Sequence, residues 1–357
     1  MNSTAAKLTI GIDVGDKASV VCVLDEAGNV AERAKVATTK AGYKGFFAKR
    51  DPARIALEAG THSGWITHAL MKFGHDVIVA NARSLELLTK SHKKNDENDA
   101  ELLARIARAD PKLLSPVQLR APELNADLAV IRARDGLVRA RTKLVNCVRG
   151  IVKSTGEKLP SCSTESFHKR VAASVPKELL PAVKGLLTAI GQLSKQIRES
   201  DKRIKELAKK YPECERIEQI AGVASLTALA FMLTLGDKTR FKKSRDVGPY
   251  LGLVPRQQRS CSIDPQLRIS KTGNKLVRRL LVGSAHYVLG RFGPDTDLRR
   301  WGLTIAKRGG KNGKKRAVVG VARRLAVLMH RLWTSGEAYE PLRIAKSRGE
   351  ANGVDET

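Results

Sequence analysis

Residues 7–30 read KLTIGIDVGDKASVVCVLDEAGNV. LTIGIDV and ASVVCVLD are two β-runs, and EAGN supplies a turn after the second. Asp13 interrupts the first run. A carboxylate inside an apolar strand is expensive unless it is paired or holds a metal. Downstream, VAERAKVATT reads as a third strand and AGYKGFFAKR as a helix. RIALEAG is a short strand carrying Glu58, THSGWITHALMKFG a helix, and HDVIVAN another buried strand. A hairpin followed by alternating strands and helices predicts an α/β domain with a mixed sheet, spanning residues 1–118.

Residues 94–101, KNDENDAE, are an acidic knot at the head of the helical stretch AELLARIARA. Asp96 and Asp99 admit two explanations. Asp and Asn cap helices, and acid in a first turn favours the dipole. Alternatively, residues three apart on one helical face present two carboxylates to a metal. With Asp13 and Glu58 on strands, the second explanation gains weight. Convergent carboxylates are how proteins hold two Mg²⁺ ions about 4 Å apart for phosphoryl transfer, and Mg²⁺ prefers oxygen ligands. The order strand Asp, strand Glu, helix Asp is that of ribonuclease H-like nucleases. IGIDVG also opens actin-like ATPases, but no second phosphate hairpin follows. RGGKNGKKR lacks the glycine spacing and the Ser or Thr of a P-loop.

From residue 119 to 211 the pattern changes. Leu124, Ile131, Val138, Val145 and Val152 recur every seven residues, with Val130, Leu137, Leu144 and Ile151 one position before the last four. Val183, Ile190, Ile197 and Ile204 repeat the period, with Leu179, Leu186, Leu193 and Leu207 as partners. Two long helices with coiled-coil character are expected, joined by the linker KSTGEKLPSCSTESFHKRVAASVPKE. Residues 212–335 read as a mainly α-helical domain. IEQIAGVASLTALAFMLTLGD is helix, Gly turn, helix, and AGVASLTA is similar to a helix-hairpin-helix. A further helix starts near Asn274, and KKRAVVGVARRLAVLMHRLW is an amphipathic basic helix. Residues 336–357 form a polar tail.

The formal charge is +29, which points to a polyanion, most simply nucleic acid. Residues 254–331 hold 19 Lys or Arg against Asp264, Asp295 and Asp297. A one-signed stretch favours phosphate contact, and 4% aromatic content argues against base stacking as the main mode. Five scattered cysteines without CxxC spacing suggest neither a disulfide framework nor zinc, and fit a reducing cytosol. The start of the chain lacks a signal-peptide pattern. VASLTALAFMLTLG is too short to span a bilayer. A cytoplasmic, nucleoid-associated bacterial protein without membrane contact is the expectation.

IGIDVG, ALEAG, KNDENDAELLAR, the helical middle and GLVPRQQRS…RISKTGNKLVRRLLVGSA together resemble the insertion-sequence-110 family of transposases. The resemblance runs from about Ile10 to Trp333. It implies a RuvC-like (ribonuclease H-like) domain whose acidic tetrad is Asp13, Glu58, Asp96 and Asp99, holding two Mg²⁺. It implies a second domain whose nucleophilic serine falls on Ser260. Relatives commonly place a small residue after that serine; here the chain reads SCSID, which makes Ser262 a rival. Arg256, Arg259 and Arg268 are candidates to stabilise a pentavalent phosphate. Lys271, Arg278 and Arg279 are candidates for nucleic-acid phosphates. The implied activity cuts and rejoins DNA through a covalent phosphoserine. The implied partners are the element ends and target DNA, a structured non-coding guide RNA, and further copies of the chain as a dimer or tetramer held by the coiled coil. Two other readings keep parts of this: a RuvC-type structure-selective nuclease in which water attacks, and a non-catalytic nucleic-acid-binding protein.

Overall fold

The computed structural model describes residues 8–82, 95–258, 265, 267–308, 310 and 312–343. The chain divides into two compact units, Met1–Pro122 and Glu123–Thr357.

The first unit is built on a five-stranded mixed sheet. β1 (Thr9–Val14), β2 (Ala18–Leu24) and β3 (Val30–Ala37) form an antiparallel meander, followed by α1 (Lys40–Phe47). β4 (Arg54–Glu58), α2 (Ser63–Lys72) and β5 (Asp76–Ala80) add two strands parallel to β1. The strand order is β3-β2-β1-β4-β5. α3 (Asp96–Ala109) completes the unit.

Side chains alternate between the two faces of a strand, so the sheet sorts its residues by parity. Ile10, Ile12, Ile55 and Leu57 pack with Tyr43, Phe47, Ile66 and Leu70 from α1 and α2. The opposite face shows small residues, Gly11 and Ala56, and α3 lies there against β1, β2 and β4. A Cβ on Gly11 would collide with the carbonyl oxygen of Ala100 and stand 2.6 Å from the amide nitrogen of Ala104. Only glycine lets the helix backbone come this close.

The orientation of α3 follows from its arginines. Arg105 and Arg108 donate to the carbonyls of Gly28 and Glu26, in the β2–β3 turn (3.3 and 2.7 Å). That turn lies beside the amino end of β1, because Thr9 pairs with Leu24. The start of α3 is therefore at the carboxyl end of β1. Arg33 of β3 and Arg105 both bond Glu101 (2.5 and 2.7 Å), and these bonds hold its carboxyl below the usual range.

In the second unit, α4 (Pro122–Lys153) and α5 (Leu180–Ala208) run antiparallel, as the Arg134–Asp201 and Arg141–Ser194 contacts require. Val183, Ile190, Ile197 and Ile204 are all buried, as their seven-residue period predicts. The companion row differs from the expectation: Leu128, Asp135 and Val148 on α4, with Leu187, Ser194 and Ala208 on α5, are buried, while Leu144, Ile151, Leu179 and Leu186 are only partly so. The linker is no passive loop, since its Phe167, Val171 and Val175 are buried against the helix ends.

α6 (Glu213–Glu218) leads to α7 (Ser225–Leu235), which is apolar on every side and buried from Thr227 onward. A helix apolar all round belongs in a core. α8 (Lys275–Leu289), α9 (Asp297–Lys307) and α10 (Gly313–Ser335) complete that core with the lower ends of α4 and α5. The chain after α10 stays packed through residue 343: Tyr339 N–H donates to Gln219, and Asp297 N–H to the Pro341 carbonyl (3.1 and 2.8 Å).

Gly11→Ala should lower the local opening free energy of β1 and α3, read by amide hydrogen exchange, by roughly 1–3 kcal/mol. Alanine is otherwise the better strand residue by about 0.5–1 kcal/mol, so an unchanged or raised opening energy contradicts the close seating. A second expectation concerns His330, buried with Nδ1 facing Ser244 Oγ and Nε2 facing the Lys238 carbonyl (2.9 and 3.1 Å). Burial, only partly opposed by the Lys238 bond, lowers its pKa from the ordinary value. The unfolded chain then takes up the proton first, so this contribution to stability is present above pH about 6.5 and is lost as pH falls. The drop in unfolding free energy between neutral and mildly acid pH should shrink in His330→Gln; an equal drop in both proteins contradicts it.

Candidate active site

Asp13 is the fifth residue of β1 and shares parity with Gly11; Glu58 ends β4 and shares parity with Ala56. Both belong to the face that α3 covers. β1 and β4 are parallel neighbours with Ile12 beside Leu57, which makes Asp13 and Glu58 adjacent in register. The two are not at buried mid-strand positions, as the apolar flanks predicted. Asp13 is half-buried and Glu58 exposed, because the strands leave the core at their last residues. Asp96 (exposed) and Asp99 (half-buried) occupy the first turn of α3, whose start lies at this same edge.

Asn95 is the cap, its side chain accepting from the Glu97 amide at 3.2 Å. Neither Asp96 nor Asp99 is needed for that task. The backbone thus brings four carboxylates, two from strands and two from a helix start, to the carboxyl edge of the parallel strands. Such edges are where open α/β sheets bind ligands.

The donor set is all carboxylate oxygen, which suits a hard divalent cation. As the side chains stand, no three His, Cys, Asp or Glu among the described residues enclose a metal position. Fold and donor chemistry fit a cation, while the side chains are not closed around one.

The edge also carries a pair that motif reading did not single out. His62 follows β4 and Asp16 follows β1, with Nε2 and Oδ1 3.3 Å apart. Trp65 Nε1–H donates to His62 Nδ1 at 3.1 Å, so the ring proton resides on Nε2, facing Asp16. The pair links the loops that follow Asp13 and Glu58. The sequence signal was a His four residues after the strand Glu.

In the second unit, residues 252–256 and 268–271 form a narrow antiparallel neck. Pro255 and Ile269 pair, Arg256 N–H donates to the Arg268 carbonyl, and Ser270 N–H to Val254 (3.0 and 2.8 Å). Arg256, Arg268 and Lys271 are exposed on it. Arg259, Ser260 and Ser262 lie outside the described residues. Arg278 and Arg279 have structural partners: Arg278 donates to the Leu251 and Thr272 carbonyls (2.9 and 2.7 Å), and Arg279 to Asp135 of α4. The Gly222 turn after α6 packs against Ser284 and Tyr287 of α8, where a Cβ would stand 2.8 Å from the tyrosine ring. Among the described residues no helix is long and apolar enough to cross a membrane.

A family model described as a transposase of the DEDD, IS110 type matches residues 10–156. A second, described as the transposase IS116/IS110/IS902 family, matches residues 214–299. The chain is similar to the transposase for insertion sequence element IS1111A of Coxiella burnetii, with 30% identity over 92% of this chain and 90% of the relative. It is similar to the IS1328 transposase of Yersinia enterocolitica, with 30% identity over 79% and 84%. A probable family 20 transposase of Pseudomonas aeruginosa is 27% identical over 93% and 98%. With both models matched in order and a relative covered nearly end to end, the chain belongs to the IS110 family of insertion-sequence transposases.

Proposed function

We propose that this transposase cuts and rejoins DNA at a composite centre made of a RuvC-like acidic edge and a serine from the second unit. The supporting observation is the shared parity and edge of Asp13 and Glu58, with Asp96 and Asp99 at the start of the helix over that face. A family built on a DEDD motif fits those four positions.

In this reading the four carboxylates hold Mg²⁺, as two ions. A bound divalent ion supplies charge neutralisation on the phosphate and acidifies an attacking oxygen. Asp13 and Glu58 come from rigid strands and fix the position of the site, while Asp96 and Asp99 adjust from the helix start. Ser260 Oγ attacks a phosphodiester: the hydroxyl gives up its proton as the Oγ–P bond forms, a P–O bond to one deoxyribose breaks, and the freed sugar oxygen takes up a proton, so that none is gained or lost overall. Energy is conserved in the phosphoserine until a second DNA end displaces the serine. Arg256 and Arg268 on the neck, with Arg259, neutralise charge on the phosphate. Lys271, Arg278 and Arg279 belong to the same basic region; the carbonyl partners of Arg278 favour holding the neck, and the Asp135 partner of Arg279 favours tying α8 to α4.

The α4–α5 pair serves as a coiled-coil hairpin joining copies of the chain, so that carboxylates and serine come from different subunits. A structured non-coding RNA guides the choice of target, held through its backbone and shape. That element follows from the family resemblance, with which the basic charge is compatible.

Asp13→Ala and Asp99→Asn should each reduce Mg²⁺-dependent strand cleavage by at least about 10³-fold. Ser260→Ala should abolish a denaturation-resistant protein–DNA adduct that the wild type forms. An adduct that survives Ser260→Ala and is lost in Ser262→Ala reassigns the nucleophile. Cleavage by the wild type with no adduct at any time favours direct attack by water, as in a structure-selective nuclease.

A further inference from the structure

In the second unit a cleft of about 510 Å³ lies between α9, α10 and the chain that follows α10. Five arginines line it, Arg245, Arg323, Arg324, Arg331 and Arg343, against Asp297 and Glu340. Their partners divide them. Arg331 and Arg343 share Glu337 at 2.9 and 3.1 Å. Arg324 lies over the Trp301 ring, 3.7 Å from its centroid. The stem of Arg323 packs on Gly248. Among the described residues, no carboxylate comes within 4.0 Å of the guanidinium groups of Arg245, Arg323 or Arg324.

This differs from the arginines nearby. Arg299 donates to the carbonyls of Val288 and Gly290, and Arg300 pairs with Asp295. Those guanidinium groups have internal work. Arg245, Arg323 and Arg324, without a carboxylate partner among the described residues, line a concave surface with an apolar wall of Trp301, Val327 and Leu328, where a charge acts more strongly than on an open face. Guanidinium matches phosphate as a two-pronged donor.

The spacing argues for a polymer. Arg323 and Arg331 are eight residues apart on α10, so about 12 Å along its axis. One DNA strand presents a phosphate about every 3.4 Å of axis, so the lining is long enough for three or four of them, with Arg331 engaged by Glu337 and the contacts left to Arg245, Arg323 and Arg324. The aromatic surface argues against stacked single strands, because Arg324 already covers the Trp301 face. We propose that this cleft seats the sugar–phosphate backbone of duplex DNA without reading its bases. The inference rests on the DNA-acting reading above and adds to it a second contact surface, separate from the serine neck.

The test is fluorescence anisotropy of the full chain on a labelled random-sequence duplex across a salt series. The variant Arg245→Gln/Arg323→Gln/Arg324→Gln should flatten the log–log salt slope by about 2–3, near 0.9 per lost phosphate contact, and weaken binding at least about tenfold at 0.1 M salt. The Lys triple at the same positions should keep the wild-type slope, which excludes misfolding as the cause. Lys44→Ala/Lys72→Ala, two exposed charges removed from α1 and α2, should leave the slope within about 0.5 of wild type. A wild-type slope in the Gln triple overturns the proposal. So does an equal loss in the Lys44/Lys72 control, or a loss confined to an RNA hairpin probe. A wild-type chain that binds no duplex overturns both this surface and the DNA reading. A Gln triple that binds duplex normally and still forms the serine adduct overturns this surface alone.

Discussion

The first unit depends on how near α3 can come to the sheet. Its backbone rests on β1 at Gly11, where any side chain would meet the Ala100 carbonyl. Ala56, Ala80, Ala100, Ala104 and Ala107 keep the rest of that interface thin. The approach sets where Asp96 and Asp99 stand relative to Asp13 and Glu58. A larger residue in the seat would lift the helix start from the strand edge without removing a single carboxylate. The arginine bonds from α3 to the β2–β3 turn, and the bonds of Arg33 and Arg105 to Glu101, hold the helix in the one direction that puts its start at the carboxyl edge. Packing on small residues and a peripheral ion-pair network therefore fix the acidic edge together.

The second unit solves a different problem. α7 is so apolar that it specifies a core by itself, and α8 and α10 wrap it. The long α4–α5 pair is anchored there at one end and has its own cluster around Phe167 at the other. Between the clusters the seam turns polar: buried Asp135 accepts from Arg139 and Arg279, which remain largely open to solvent, Arg134 meets Asp201, and Arg141 meets Ser194. A solvent-open ion pair contributes little net stability, yet leaving a buried carboxylate without its partners is costly. Such pairs fix the register of α4 against α5 and α8 while leaving the middle of the hairpin the least apolar part of the unit.

Much of this was legible in the chain. The strands, the mixed sheet and the two long helices follow from period and turn chemistry alone, and the four carboxylates stand out because acids are unexpected at those points. Four things were not legible. The shift of the buried companion row to Leu128, Asp135 and Val148 arises because the row runs through a polar position, Asp135, with Ser194 on the other helix as a second polar member, which an apolar period cannot detect. The ties of Arg278 to the Leu251 and Thr272 carbonyls and of Arg279 to Asp135 are set by the packed fold, and charge counting, which marks both as candidates for phosphate contact, cannot see them. The packed linker is held by Phe167, Val171 and Val175 and the stretch after α10 by Tyr339, a few apolar side chains in otherwise polar surroundings. The exposure of Glu58 was misjudged because a strand's last residue escapes the core that buries its neighbours.

Anomalous diffraction from crystals of the full chain grown with Mn²⁺ addresses the central claim most directly. Manganese density bridging Asp13, Glu58 and at least one of Asp96 and Asp99 is the predicted result, with α3 still seated on Gly11. Density at other carboxylates, or a well-occupied Mn²⁺ elsewhere with these four side chains pointing apart, would contradict the shared acidic edge as a catalytic centre.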